Sequence, residues 1–171
     1  MTDIDEKVGF DTDLLEDEED EDTQQNKYIT FKLADEDYAI EIRYVNEIIG
    51  IQKITHVPDM PFFIKGIINL RGRVIPILNV RLRFSMPEIE YNERTCIIVI
   101  TINESIVGLI VDEVSEVLDI LPNQIDDALH KTKSSNSRFI QGIGKIGDSV
   151  KIILNVEKIL SEEELSKFSS L

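Results

Sequence analysis

From Tyr28 onward, short runs rich in isoleucine and valine alternate with polar or glycine-bearing breaks, the texture of a chain built from strands. Tyr28-Ile-Thr-Phe-Lys-Leu33 alternates as a half-buried strand does, Asp35-Glu-Asp37 turns the chain, and Tyr38-Ala-Ile-Glu-Ile42 predicts the partner strand. Arg43-Tyr-Val-Asn-Glu-Ile-Ile49 predicts a short helix. Beyond Pro58 and Pro61, the stretch from Gly66 to Arg81 reads GIINLRGRVIPILNVR, two apolar runs that meet at Arg71-Gly72. A two-residue hairpin turn needs positive φ, which Gly72 supplies, yet such a turn does not ask for a guanidinium beside it.

The second half repeats this order. Arg94 to Ile102, a turn at Asn103-Glu104, and Ile106 to Val111 correspond to the first strand pair. Val114-Ser-Glu-Val-Leu118 matches Val45-Asn-Glu-Ile-Ile49 at an offset of 69. Ile140-Gln-Gly-Ile143 matches Ile64-Lys-Gly-Ile67, and Ile153-Leu-Asn-Val156 is identical to Ile77-Leu-Asn-Val80, both at an offset of 76. Two registers that differ by one loop insertion indicate a duplicated unit. About five short strands in roughly 60 residues suit a small barrel whose closure hides its edges, so the pattern predicts a mainly β chain of two such barrels. A single larger Greek-key sandwich is the alternative, because similarity among Val/Ile-rich strands can imitate a repeat. After Val156, Glu157-Lys-Ile-Leu160 reads as helical, and Ser161-Glu-Glu-Glu164 reads as a capping box opening a terminal helix through Phe168.

The offset of 76 lays Arg71-Gly72 over Gly147-Asp148, so the second unit turns without an arginine. A guanidinium is never neutral and offers its donors in a fixed fork, which suits a carboxylate. Two readings stay open: Arg71 pairs within its own unit, where Glu47 is the candidate, or it presents its fork to a partner protein.

Charge divides the chain at the same point as the apolar pattern. Residues 1–27 hold 12 acidic and 2 basic side chains, so ten of the 15 net negative charges lie there. A like-charge block such as Glu16 to Asp22 repels itself and buries too little to offset ordering, which predicts a disordered acidic tail. Phe10, Leu14 and Leu15 have helical spacing inside it and read either as parts of a solvated spacer or as a short docking motif. The acidic balance argues against nucleic acid and anionic membrane surfaces. The N-terminus lacks a basic and apolar leader, and no run approaches the roughly 20 apolar residues of a spanning helix, so a cytoplasmic protein is expected. Cys96, the single cysteine, lies in an apolar run and is expected as a buried free thiol.

No catalytic constellation emerges from the sequence, and no cofactor is expected. His56 and His130 stand 74 residues apart with no cysteine beside either, which argues against zinc. GIGKIG, from Gly142 to Gly147, lacks the spacing and ending of a phosphate loop and reads as a strand with a bulge. Asp112-Glu113 and Asp126-Asp127 lack the spacing of a calcium loop and read as solvated charge. Binding through barrel faces and sheet edges is the remaining reading.

The runs from Ile64 to Arg81, from Tyr38 to Ile48 and from Gly108 to Val117 closely resemble the bacterial chemotaxis coupling protein family, CheW, over about residues 28–165. The resemblance implies two five-stranded SH3-like barrels around a shared core, with short helices and a C-terminal helix. Subdomain one is expected at about 28–90, subdomain two at about 91–160 and the helix at about 157–168. It implies a non-enzymatic adaptor that joins the cytoplasmic tips of membrane chemoreceptors to the regulatory domain of a histidine kinase and supports receptor arrays. Receptor contact would fall on Val45, Arg71 and Val117. Kinase contact would fall on Ile42 and Glu47, and on the segment from Asp126 to Lys131. The same domain also ends the kinase and begins an adaptor fused to a receiver domain; at 171 residues the stand-alone adaptor is expected. A coupling module of a related pathway such as pili-based motility is the alternative, followed by a scaffold outside chemotaxis.

Overall fold

The computed structural model describes residues 24–127 and 135–168. Alternation and β-branched content place Lys27–Leu33 (β1) and Glu36–Glu41 (β2) in an antiparallel hairpin with Phe31 opposite Tyr38. A 3-10 turn at Ile42–Tyr44 leads into Val45–Gly50 (β3). Ile64–Leu70 (β4) and Arg73–Asn79 (β5) form the next hairpin, and Asn79 caps a single helical turn, Val80–Arg83 (α1), by accepting from the Leu82 N–H. Then follow Cys96–Ile102 (β6), Ser105–Val111 (β7), Glu113–Asp119 (β8), Ile125–Asp126 (β9), Ile140–Ile146 (β10), Ser149–Leu154 (β11) and the terminal helix Glu162–Phe168 (α2).

The repeat is structural as well as sequential. Lys27 and Cys96, which open β1 and β6, stand 69 apart, and Ile64 and Ile140, which open β4 and β10, stand 76 apart. One sheet runs β3-β6-β7-β5-β4 and the other β8-β1-β2-β11-β10-β9. Exchanging every strand for its repeat partner turns the first order into the second, with β9 added. Each half of the chain therefore lends its first hairpin to the other half's sheet, through the parallel pairs β5–β7 and β2–β11. The sheets do not divide at the 90/91 boundary suggested by the sequence. A repeat shows which segments are equivalent but not which copy supplies the partner, and parallel pairing needs a long crossover that either copy can satisfy.

The sheet hydrogen bonds do not run fully around either lobe, yet each sheet curls over its own apolar cluster. In lobe one, Ile68, Ile75, Ile77, Ile97, Val99 and Ile110 cluster with Ile49 and Leu70 from the two edge strands, and Thr55 bridges Ile67 across the gap. Tyr28, Ala39, Ile120 and Ile153 occupy the same place in lobe two. Between the lobes lies the larger shared core, through which Phe31, Tyr38, Phe84 and Phe139 stack in series at centroid separations of 5.4 to 5.9 Å.

Several local expectations change. The segment predicted as a helix from Arg43 to Ile49 is one 3-10 turn followed by β3, because Val45, Ile48 and Ile49 pair with β6 and alternate in burial. The turn after Asn155 is 3-10 at Val156–Lys158 rather than a longer helix. Cys96 is half-buried at the start of β6. The capping box forms as expected: Ser161 Oγ accepts from the Glu164 N–H at 3.1 Å, and Glu164 Oε1 accepts from the Ser161 N–H at 2.9 Å. Gly142 sits at a bulge in β10, as Gly66 does in β4. Of the acidic tail, residues 1–23 lie outside the described residues, and Lys27 already belongs to β1. No helix among the described residues is long and apolar enough to cross a membrane.

Candidate protein-interaction site

Arg71 and Gly72 both adopt positive φ, 52° and 84°, so the turn between β4 and β5 demands the left-handed region twice. Asn69 Oδ1 supports it by accepting from the Gly72 N–H at 2.8 Å. A side chain in that conformation costs about 1 kcal/mol relative to glycine, so turn geometry alone favours glycine at position 71. The matching position in lobe two is glycine, Gly147 at φ 57°. Ala34, Asp35, Asn103 and Glu104 also adopt positive φ in the other hairpin turns, so what distinguishes Arg71 is the reach of its guanidinium rather than its backbone.

That guanidinium pairs with Glu47 on β3, the alternative that the sequence left open. Since β3 and β4 are the two edges of the sheet, the pair reaches across the gap in lobe one. Arg71 remains 70% exposed, so it can change partners, whereas Glu47 is 31% exposed. Beneath the pair opens a cleft of about 430 Å³ with Leu70, Ile75, Val99 and Ile106 as its apolar lining and Asn46 and Arg73 on its rim. Arg73 is exposed and has no carboxylate within ion-pair distance among the described residues.

The remaining candidate residues lie elsewhere. Val45, at the start of β3, faces Ile100 and packs against the shared core, half-buried. Val117 stands 49% exposed on β8, the edge of the other sheet, opposite Ile29. Ile42 is half-buried in the 3-10 turn. Asp126 pairs with Lys145 at 2.9 Å, and Lys131, like His130, lies outside the described residues. The structure thus brings Arg71 and Glu47 into direct contact. Sequence reasoning missed Arg73 and the cleft. The signal lay in the repeat, where the matches of Ile75, Val99 and Ile106 are Lys151, Thr30 and Asp37.

Paired β lobes with exposed apolar side chains at Ile48, Val74, Val117 and Val150, and an arginine held at a tip, define a protein-interaction module. Comparison with known proteins then gives the family. The CheW-like domain model matches residues 27–164. The chemotaxis protein CheW of Klebsiella aerogenes is 35% identical over 144 residues, 84% of this chain and 87% of that protein. That of Helicobacter pylori is 36% identical over 137 residues, 80% and 82% respectively. The crystal structure of the scaffolding protein TtCheW from Thermoanaerobacter tengcongensis superposes with a TM-score of 0.72 at 33% identity, covering 81% of this chain and 90% of that one. This chain belongs to the CheW family, a family of chemotaxis scaffolds and not of enzymes.

Proposed function

We propose that this chain couples membrane chemoreceptors to a histidine kinase and supports the assembly of their arrays from the cytoplasmic side. Receptor tips would contact Val45, Arg71 and Val117, and the kinase regulatory domain would contact Ile42, Glu47 and the segment from Asp126 to Lys131. The observation that carries this reading is Arg71, exposed at a strained tip and matched by glycine in the other lobe. Its partner Glu47 belongs to the proposed kinase surface, so the ion pair joins one member of each surface. A docking receptor carboxylate that draws Arg71 away would release Glu47 at the same moment, which gives coupling a physical form.

Co-sedimentation with receptor-containing membranes, with and without the kinase, tests this reading. The chain is expected to sediment with receptors alone and to carry the kinase regulatory domain into the pellet. Failure to bind either partner while the fold is intact rejects it. Ile42→Glu tests the kinase surface, and unaltered kinase binding by that folded variant would show that the surface lies elsewhere.

A further inference from the structure

The repeat isolates a difference between the two lobes. At the lobe-one mouth, Ile75, Val99 and Ile106 line an open cleft rimmed by Arg71 and Arg73. At the matching positions of lobe two, Lys151 pairs with Asp37 at 2.8 Å, and Thr30 Oγ1 donates to the Glu116 carbonyl at 2.9 Å. Lobe two therefore satisfies its mouth internally, with Gly147 and Ser149 in place of the two arginines. Lobe one presents half-buried Leu70 and Ile106 above buried Ile75 and Val99, with Arg71 paired to Glu47 and Arg73 without an ion-pair partner among the described residues. That combination recognises an apolar side chain flanked by carboxylates.

We propose that the occupant is this chain's own N-terminal segment, Phe10 to Asp22, with Phe10, Leu14 or Leu15 entering the cleft and the acidic residues meeting Arg71 and Arg73. The segment Phe10-Asp-Thr-Asp-Leu-Leu-Glu-Asp-Glu-Glu19 carries apolar residues directly among carboxylates, and nine acidic side chains lie between Asp11 and Asp22. The tether suffices: the residues between Leu15 and Lys27 extend to about 40 Å, comparable with the width of a domain of this size. Tethering also supplies an effective concentration of order millimolar, so a weak contact is enough to fill the cleft. A segment seated there shields Arg71 and competes with any receptor that needs it; this consequence rests on the receptor reading above, and the docking does not.

The test uses the full chain. A nitroxide label is placed at Thr12→Cys in a Cys96→Ser background, and amide signals are compared across the two mouths. Leu70, Ile75, Val99 and Ile106 are expected to lose intensity several-fold, while their matches Ile146, Lys151, Thr30 and Asp37 do not. Arg73→Glu, at an exposed position with no ion-pair partner among the described residues, is expected to restore the lost signals. Uniform broadening, none at the lobe-one mouth, or indifference to Arg73→Glu overturns the proposal. So does broadening that appears between separate labelled and unlabelled chains, which assigns the cleft to a second copy. Receptor co-sedimentation of the Phe10→Ser, Leu14→Ser, Leu15→Ser triple variant reads the competition and is expected to rise several-fold. Unchanged binding rejects the shielding, whereas no receptor binding by any variant rejects the coupling reading and leaves the docking result standing.

Discussion

Arg81 closes on Asp112 through two parallel hydrogen bonds, Nε to Oδ1 at 2.7 Å and Nη2 to Oδ2 at 2.5 Å, and the same carboxylate accepts from the Ala34 N–H at 3.0 Å. The contact ties α1 to the β7–β8 junction and to the β1–β2 turn, and so pins the exchanged hairpin of one half to the sheet of the other.

Acid should loosen this tie. Burial raises the Asp112 pKa, but hydrogen bonds from Arg81 and the Ala34 N–H, with the Arg81 charge, outweigh it and hold the carboxyl below its ordinary range. A folded pKa below the unfolded one gives stability that is complete above the unfolded value, about 4, and is lost as pH falls through the folded value. Glu164, also lowered, adds in the same direction. Melting temperature is therefore expected to fall below about pH 4, and less steeply in Asp112→Asn, which starts lower at pH 7 by about 2 kcal/mol. Parallel acid limbs for the two proteins would contradict the assignment.

Gly66 is required by its surroundings. Its φ is 146°, and a Cβ there would lie 2.1 Å from the Thr55 carbonyl oxygen, the atom that accepts from the Ile67 N–H at 2.9 Å. Gly66→Ala should cost about 3 kcal/mol or more in urea unfolding, since both strain and the lost bridge oppose it. Gly50→Ala is the control, because no atom lies within 4 Å of its added Cβ, and should change stability by about 0.5 kcal/mol or less.

Arg71→Gly separates backbone from recognition. Glycine relieves the positive φ by about 1 kcal/mol, and an exposed ion pair is worth about 0 to 1 kcal/mol, so the variant should melt near the parent. On the proposed receptor contact, truncating the guanidinium costs about 2 kcal/mol of binding or more, so the receptor affinity read by co-sedimentation titration should fall by roughly 30-fold. Marked destabilisation with undiminished binding per folded molecule would make Arg71 a structural residue.

What was legible in the sequence follows from what repeats encode. The hairpin strands and the capping box at Ser161 rest on local periodicity and turn chemistry and are readable there, while for Arg71 charge names Glu47 as a candidate partner without deciding between it and a partner protein. The exchange of β1–β2 for β6–β7 was not, because Val/Ile strands carry no mark of which edge they join. Residues 43–49 suggest a helix because Val45, Ile48 and Ile49 fall at helical spacing, whereas in β3 Val45 and Ile49 share the half-buried side and Ile48 is exposed on the other. The cleft escaped notice because its signal is a mismatch between copies, Ile75 against Lys151, rather than a motif within either.

Arg83 offers the sharpest test of the shared core. Its guanidinium lies over the Phe63 ring at 4.0 Å and the Phe139 ring at 4.9 Å, two aromatics that match one another in the repeat. Its Nε donates to the Ile159 carbonyl at 2.8 Å, and Nη2 donates to Glu164 at 2.9 Å. Lysine keeps the charge but loses the planar face and the fixed fork, and it leaves the Ile159 carbonyl without this donor. Arg83→Lys should therefore destabilise by about 2 to 4 kcal/mol, and amide exchange in α2 should accelerate beyond that global loss, because Glu164 also caps the helix. Glu164→Gln retains an acceptor for both the Ser161 N–H and Arg83, so it should cost less than Arg83→Lys. Equal stability of the lysine variant and the parent would show that charge alone, rather than the stacked fork, holds α2 against the core.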